Sequence, residues 1–295
     1  TVTGSSMLAL LLALALALTS AHLVFGTLVE TYAPSAAALI LLHCLVAGRP
    51  TMRIRLRHEV LAAVLAIGMT ITHAFTAGVC FVAARGGRLR WRQTVRWGAA
   101  VAALLAAGLA VQGATVPATL AYTDAAPLRT EARYMGRGRT SWGGALWNVA
   151  RGLLAENVVG PTLVQGTDTA GRSGLRLGPY RGAPAWSALG LWWLLLGVCG
   201  VAIVARRRLR RPTLWAALLC LLASAALHTF YGNAHVFLFS CTFTFYLLAF
   251  VAHGAAGLPR WFSLPLLAAL VLLLAVRNAV FCQDWLSALG QAPAL

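Results

Sequence analysis

Residues 186–205 read WSALGLWWLLLGVCGVAIVA, twenty positions without a charge, and residues 206–211 follow at once as RRRLRR. A helix rising about 1.5 Å per residue needs about 20 apolar residues to cross the roughly 30 Å hydrocarbon layer of a bilayer. Inside lipid the backbone must satisfy its own hydrogen bonds, which a helix does without a partner. Basic loops stay on the cytoplasmic side, so the five arginines mark the inner end of this span.

Working outward, similar apolar runs cover residues 7–25, a stretch from 35 to about 48, and then 60–84, 98–114, 212–229, 235–253 and 261–281. None shows the period-two alternation of a barrel strand. The composition agrees. Of 295 residues, 60% are hydrophobic and 11% charged, against roughly 25% charged in a soluble domain. The expected class is all-α, a polytopic transmembrane helical bundle with about seven or eight membrane segments. Its expected parts are membrane helices over 1–114, one long external loop over 115–185, and membrane helices over 186–295.

The formal charge of +17 comes from 24 basic residues, all arginine, gathered between the apolar runs. That distribution is topological, and no nucleic-acid partner is expected. Cys44, Cys80, Cys199, Cys220, Cys241 and Cys282 fall mostly inside apolar runs with no CxxC pair, as small packing residues do. The run at 7–25 lacks a basic leader and a cleavage site, so it is not read as a signal peptide. The start at Thr1 reads as a cut in a longer protein.

One run conflicts with a simple crossing. Residues 60–84 lie between Arg53, Arg55 and Arg57 on one side and Arg85, Arg88 and Arg90 on the other. A single crossing would put one cluster outside. The middle, GMTITHAFTAG over 68–78, is polar and bracketed by glycines. A broken or re-entrant hairpin keeps both clusters inside, and irregular backbone is tolerated at depth when buried in protein. Residues 115–185 hold prolines, glycines, eight arginines and four acids, and long loops translocate regardless of charge. Within them, 142–156 (WGGALWNVARGLLAE) has the pattern of an amphipathic surface helix.

Polar residues near spans are functional candidates. Glu30 and Tyr32 occupy the break between the first two spans, where an interfacial aromatic anchor is the plainer reading. Thr70, Thr72, His73 and Thr76 sit at the middle of the 60–84 run. Threonines bonding back to their own helix are the plainer reading there, while a hairpin would aim this tip outward toward Glu30. His228, Tyr231, Asn233 and His235 cluster at an external turn, open to a phosphate or sugar, to a simple polar turn, or to a divalent metal. No third ligand has matching spacing, so no cofactor is expected. Arg277, near the outer end of the last span, is placed to pair with a lipid phosphate or to snorkel to the headgroups.

At this point the residues resemble a family. Val29-Glu30-Thr31-Tyr32 and the helix after it look like the E-V-Y motif of multi-spanning GT-C glycosyltransferases, in a bacterial family related to the protein O-mannosyltransferases. Residues 68–76, GMTITHAFT, look like that group's G-L-S-x-x-N-H-x-T stretch, with Thr72 where the family has Asn. Residues 231–240 are similar to late helices of related enzymes. The likeness covers about the first 115 residues, and the rest loosely. It implies a bacterial inner-membrane protein and an inverting sugar transfer on the outer face. The donor would be a polyprenyl-phosphate sugar and the acceptor a glycan, lipid or protein. It also implies a catalytic Asp upstream of the E-V-Y motif, before this chain begins. Glu30, Tyr32 and His73 carry over as site residues. A transporter or lipid flippase is the alternative, and a non-catalytic membrane scaffold the third reading.

Overall fold

The computed structural model describes residues 3–27, 32–48, 54–70, 72–86, 90–116, 141–167, 173–230, 236–237 and 239–290. Their architecture is helical, with one short β-hairpin. The chain divides into two compact units. One comprises Thr1–Ala33, Ala150–Leu209 and Phe237–Leu295, the other Pro34–Val149 and Arg210–Val236.

Among the described residues, four helices are long and apolar enough to cross a membrane: Trp91–Thr115, Ala183–Ala205, Pro212–Phe230 and, within a longer helix, Arg260–Ala288. The expected spans at 98–114 and 261–281 are thus parts of longer helices, and the span expected at 235–253 is the shorter helix Ser240–Ala255. The first apolar run is not one straight span. It forms α1 (Ser6–Ala17) and α2 (Ser20–Thr27), bent by 61° at the break. Two hydroxyl residues make the bend. Thr19 Oγ1 donates to the Leu16 carbonyl and meets His22 Nδ1, while Ser20 Oγ donates to the Glu156 carbonyl.

In the first unit, α1 and α2 pack with α8 (Ala183–Ala205), α10 (Ser240–Ala255) and α11 (Arg260–Gly290). Trp192, Leu195, Phe243, Tyr246, Leu270 and Phe281 are fully buried there. α8 and α10 approach closely. A Cβ on Gly254 would overlap Cys199, 2.6 Å from its Cα and 2.7 Å from its carbonyl oxygen. Only glycine lets these two backbones come so near.

In the second unit, α3 (Tyr32–Gly48, entering from the first unit) leads to α4 (Leu56–Met69) and α5 (His73–Ala83). α6 (Trp91–Thr115) packs on α4, and α9 (Pro212–Phe230) packs on α5. Leu42, Val60, Ala63, Ile67, Ala77, Cys80 and Val101 form its core. α6 buries only Val101, leaving Leu109 and Val111 66% and 64% exposed. Water penalises such a surface and lipid does not. The chain is accordingly a helical membrane protein.

The segment expected as an external loop departs most from its reading. Residues 117–140 lie outside the described residues. From Trp142 the chain forms α7 (Trp142–Arg151), then a π-helical turn at Gly152–Glu156, then β1 (Leu163–Thr167) and β2 (Ser173–Leu177). The strands pair antiparallel, Leu163 opposite Leu177. α7 has the expected amphipathic character, with Trp142, Leu146 and Trp147 exposed and Ala145 and Val149 buried. Its continuation does not lie on a surface: Leu153, Ala155, Glu156, Asn157, Val158 and Val159 are all buried.

Candidate functional site

The sequence GMTIT weakens a helix, because glycine costs backbone entropy and β-branched residues lose rotamers. α4 stops at Met69, Thr70 is extended, and α5 starts at His73, whose N–H donates to the Thr70 carbonyl. The chain then doubles back. Were 59–85 a straight helix, its ends would stand about 39 Å apart at 1.5 Å per residue. Instead Arg85 Nη2 lies 2.7 Å from Glu59 Oε2, both side chains 7% exposed. Arg85 also donates to the Phe81 carbonyl and to Gln93, and its guanidinium lies over the Phe81 ring. This ion pair ties the two feet of the hairpin together.

At the opposite end is a polar pair. His73 Nε2 meets Ser35 Oγ at 2.6 Å, with both residues buried. Ser35 stands in the first turn of α3, three residues after Tyr32. Thr76, one turn along α5, is buried on the same side of the helix as His73, while Thr72 is exposed. His228 is buried in the last turn of α9, the helix that packs along α5. An imidazole paired with a hydroxyl can take or give a proton, or donate to a phosphate oxygen. Among the described residues no group of three or more His, Cys, Asp or Glu side chains could hold a metal ion.

The other sequence candidates are placed differently. Tyr32 packs its ring on Phe25 at 5.1 Å and on Phe239 at 5.9 Å. Glu30, Tyr231, Asn233 and His235 lie outside the described residues. Arg277 turns toward the irregular segment before α8. It is 8% exposed, with Nε donating to the Gly160 carbonyl and Nη2 to the Pro161 carbonyl.

That geometry belongs to a second polar locus, which serves the backbone. The irregular segment 154–161 runs through the first unit, and its carbonyls must all be satisfied away from water. Leu154 accepts from Trp192 Nε1, and Glu156 from Ser20 Oγ. Asn157 accepts from the Ala21 N–H, and Val158 from both the Ser20 N–H and Asn278 Nδ2. Val159 accepts from Tyr180, and Gly160 and Pro161 from Arg277. The first N–H groups of α2, orphans at any helix start, are the donors at the bend. Beside this run the Glu156 carboxyl, 4% exposed, pairs with Arg151 at 2.8 Å. Burial raises its pKa to about 7, against the pull of Arg151. The Tyr180 hydroxyl is raised as well, by burial and then by the nearby Glu156 charge.

Ser35, the Glu59–Arg85 pair, Glu156 and Asn278 had no place in the sequence reading. Asn278 carried a usable signal, as a polar residue within an apolar run, and Glu59 a weaker one at the edge of another. Ser35 carried none, since a serine in a small-residue helix start is ordinary. No family model matches the chain, and no curated protein or solved structure matches it.

Proposed function

We propose that the chain is part of a membrane glycosyltransferase of the GT-C type, with its reaction at the tip of the α4–α5 hairpin. The donor is a polyprenyl-phosphate sugar, and the acceptor is a glycan, lipid or protein hydroxyl on the outer face of a bacterial inner membrane. The observation that carries the proposal is the buried His73–Ser35 pair at the tip of a fold-back whose arginine-bearing foot lies at the other end. With the arginine loops inside, the tip points outward. The α1–α2 pair, α3, the hairpin and Ser240–Ala255 bring the membrane segments to about eight.

A further relation supports the site. Cys80 on α5 and Cys220 on α9 are buried neighbours where the two helices pack. With α5 descending and α9 ascending, His73 and His228 lie about 10 and 12 Å along from that contact, at one level. In the reaction the acceptor oxygen attacks the anomeric carbon, the bond to phosphate breaks, and the polyprenyl phosphate departs. His73 accepts the acceptor's proton, held in one orientation by Ser35.

The test is transfer from a labelled polyprenyl-phosphate sugar in membranes carrying the full-length protein. His73→Ala should lower transfer about a hundredfold or more, and Ser35→Ala by less. The His73→Leu/Ser35→Ala double variant should stay folded, since exchanging both partners for apolar groups is nearly neutral. Unchanged transfer in His73→Ala and Glu30→Gln together would refute the assignment. The transporter reading gains from one observation: each unit holds a pair of consecutive short helices in place of one long one, α1–α2 and α4–α5. Flux of a polyprenyl-phosphate lipid across proteoliposomes, without sugar transfer, would favour it.

A further inference from the structure

Along α8 runs a groove of about 590 Å³ that belongs to neither polar locus. Its walls are apolar: Trp193, Leu194 and Val201 are 45%, 52% and 70% exposed. Its floor includes Gly197, beside which an added Cβ would meet nothing within 4 Å. One end is closed by Arg206 together with the turn Gly257–Pro259. Trp193 and Arg206 are thirteen residues apart on one helix, or about 20 Å. That is the depth of one leaflet with its headgroups, half of roughly 40–45 Å.

The arginines at the closed end are not equivalent. Arg208 is engaged, donating to the His253 and Ala256 carbonyls at the end of α10. Arg206 and Arg207 are exposed, and among the described residues neither guanidinium has a protein partner. Arg207 has φ +52°, in the left-handed region where the residue after a helix end is usually glycine.

We propose that this groove binds one anionic phospholipid of the arginine-side leaflet, its acyl chain along Trp193–Val201 and its phosphate on Arg206. A basic pocket on the cytoplasmic side of apolar helices suits that headgroup, by Coulomb attraction and by bidentate hydrogen bonding. The occupant is a lipid rather than a free anion, because the walls below Arg206 are predominantly apolar.

Native mass spectrometry of the full chain tests this, with phosphatidylglycerol and phosphatidylcholine titrated in parallel from mixed micelles. One phosphatidylglycerol should be retained in preference to phosphatidylcholine. Arg206→Gln should weaken its retention about fivefold, the effect of one basic residue near a lipid surface. Gly197→Phe should expel both lipids, while Val204→Phe, on an exposed position outside the groove, should change nothing. Circular dichroism verifies that each variant is folded, and Gly197→Phe has open space to enter. Equal retention of the two lipids by the wild type, or undiminished phosphatidylglycerol in both Arg206→Gln and Gly197→Phe, would overturn the proposal. So would inorganic phosphate displacing the lipid at millimolar concentration. Sugar transfer is not read in this experiment, so its outcome stands apart from the reading of the hairpin tip.

Discussion

Replacing Asn278 by leucine isolates what the buried segment 154–161 requires of the last helix. Asn278 is fully buried, and its amide closes three hydrogen bonds at once. Oδ1 accepts from the Gly160 N–H at 2.8 Å, and Nδ2 donates at 2.7 Å to both the Leu18 and Val158 carbonyls. Leucine has a similar volume, so little cavity or overpacking term enters. Gly160 would lose this partner for its N–H, and Leu18 this partner for its carbonyl. Val158 would keep the Ser20 N–H at 3.2 Å. Each orphaned buried group costs about 1–3 kcal/mol, so the variant should lose roughly 3–5 kcal/mol. Thermal unfolding in detergent followed by tryptophan fluorescence measures it. Leu272→Ala is the control, on the same helix and 68% exposed. Asn278→Asp keeps the acceptor but turns a carboxylate oxygen toward the Leu18 and Val158 carbonyls, so it should cost at least as much as Asn278→Leu. If Asn278→Leu unfolds within about 1 kcal/mol of the wild type, the carbonyl accounting for this segment is wrong.

Gly160→Ala should also destabilise, by about 1–3 kcal/mol through overpacking, because the new Cβ overlaps the fully buried Phe281 ring, 2.6 Å from Cδ1. Phe281→Leu in the same chain should recover part of the loss in the same melt. The Glu156 carboxyl ionises near 7 when folded, against 4.5 for the ordinary group. A raised carboxyl stabilises the folded state fully below about 4.5, and that contribution is lost as pH rises through 7. Melts from pH 4.5 to 8 should show a decline of up to about 3 kcal/mol in the wild type and a flat profile in Glu156→Gln; parallel profiles would count against a buried neutral acid. Arg85→Met should cost about 3–5 kcal/mol by removing this guanidinium partner from the buried Glu59 carboxylate. Glu59→Gln added to it should return most of that, as a double-mutant cycle in denaturant titrations would show.

The sequence made the helical membrane class legible because it rests on a sum over many residues, which no single exception disturbs. It also showed that residues 60–84 resist a single crossing, since two arginine clusters and a polar centre cannot be reconciled with one straight helix. The bend in the first run was not legible. Leu18, Thr19 and Ser20 would sit in a straight membrane helix without penalty. What bends the chain is the arrival of Glu156, Asn157 and Val158, more than 130 residues later, offering carbonyls to Ser20 and Ala21. The same long-range cause hid the role of Arg277. Its position near a span end made a headgroup partner reasonable, and only the path of 160–161 shows where its donors go. Composition misled over 141–177, where glycines, arginines and prolines read as one loop although Leu153, Val158 and Val159 are core.

Partner chemistry separates the two polar loci. Arg277, Asn278 and Ser20 face main-chain groups, and those groups exist whatever the side chains are. A chain that keeps 154–161 irregular and buried has to supply donors, so these residues are explained by the fold alone. Ser35 and His73 face each other. Two apolar residues of similar size would remove both the donor and the acceptor and leave nothing orphaned, so stability gives no reason to hold an imidazole and a hydroxyl together at 2.6 Å. The hairpin spends a broken helix and a buried ion pair to present that pair at its tip. A pair that the fold can do without, displayed by an element that is costly to build, is the part of this chain where chemistry is the more economical explanation.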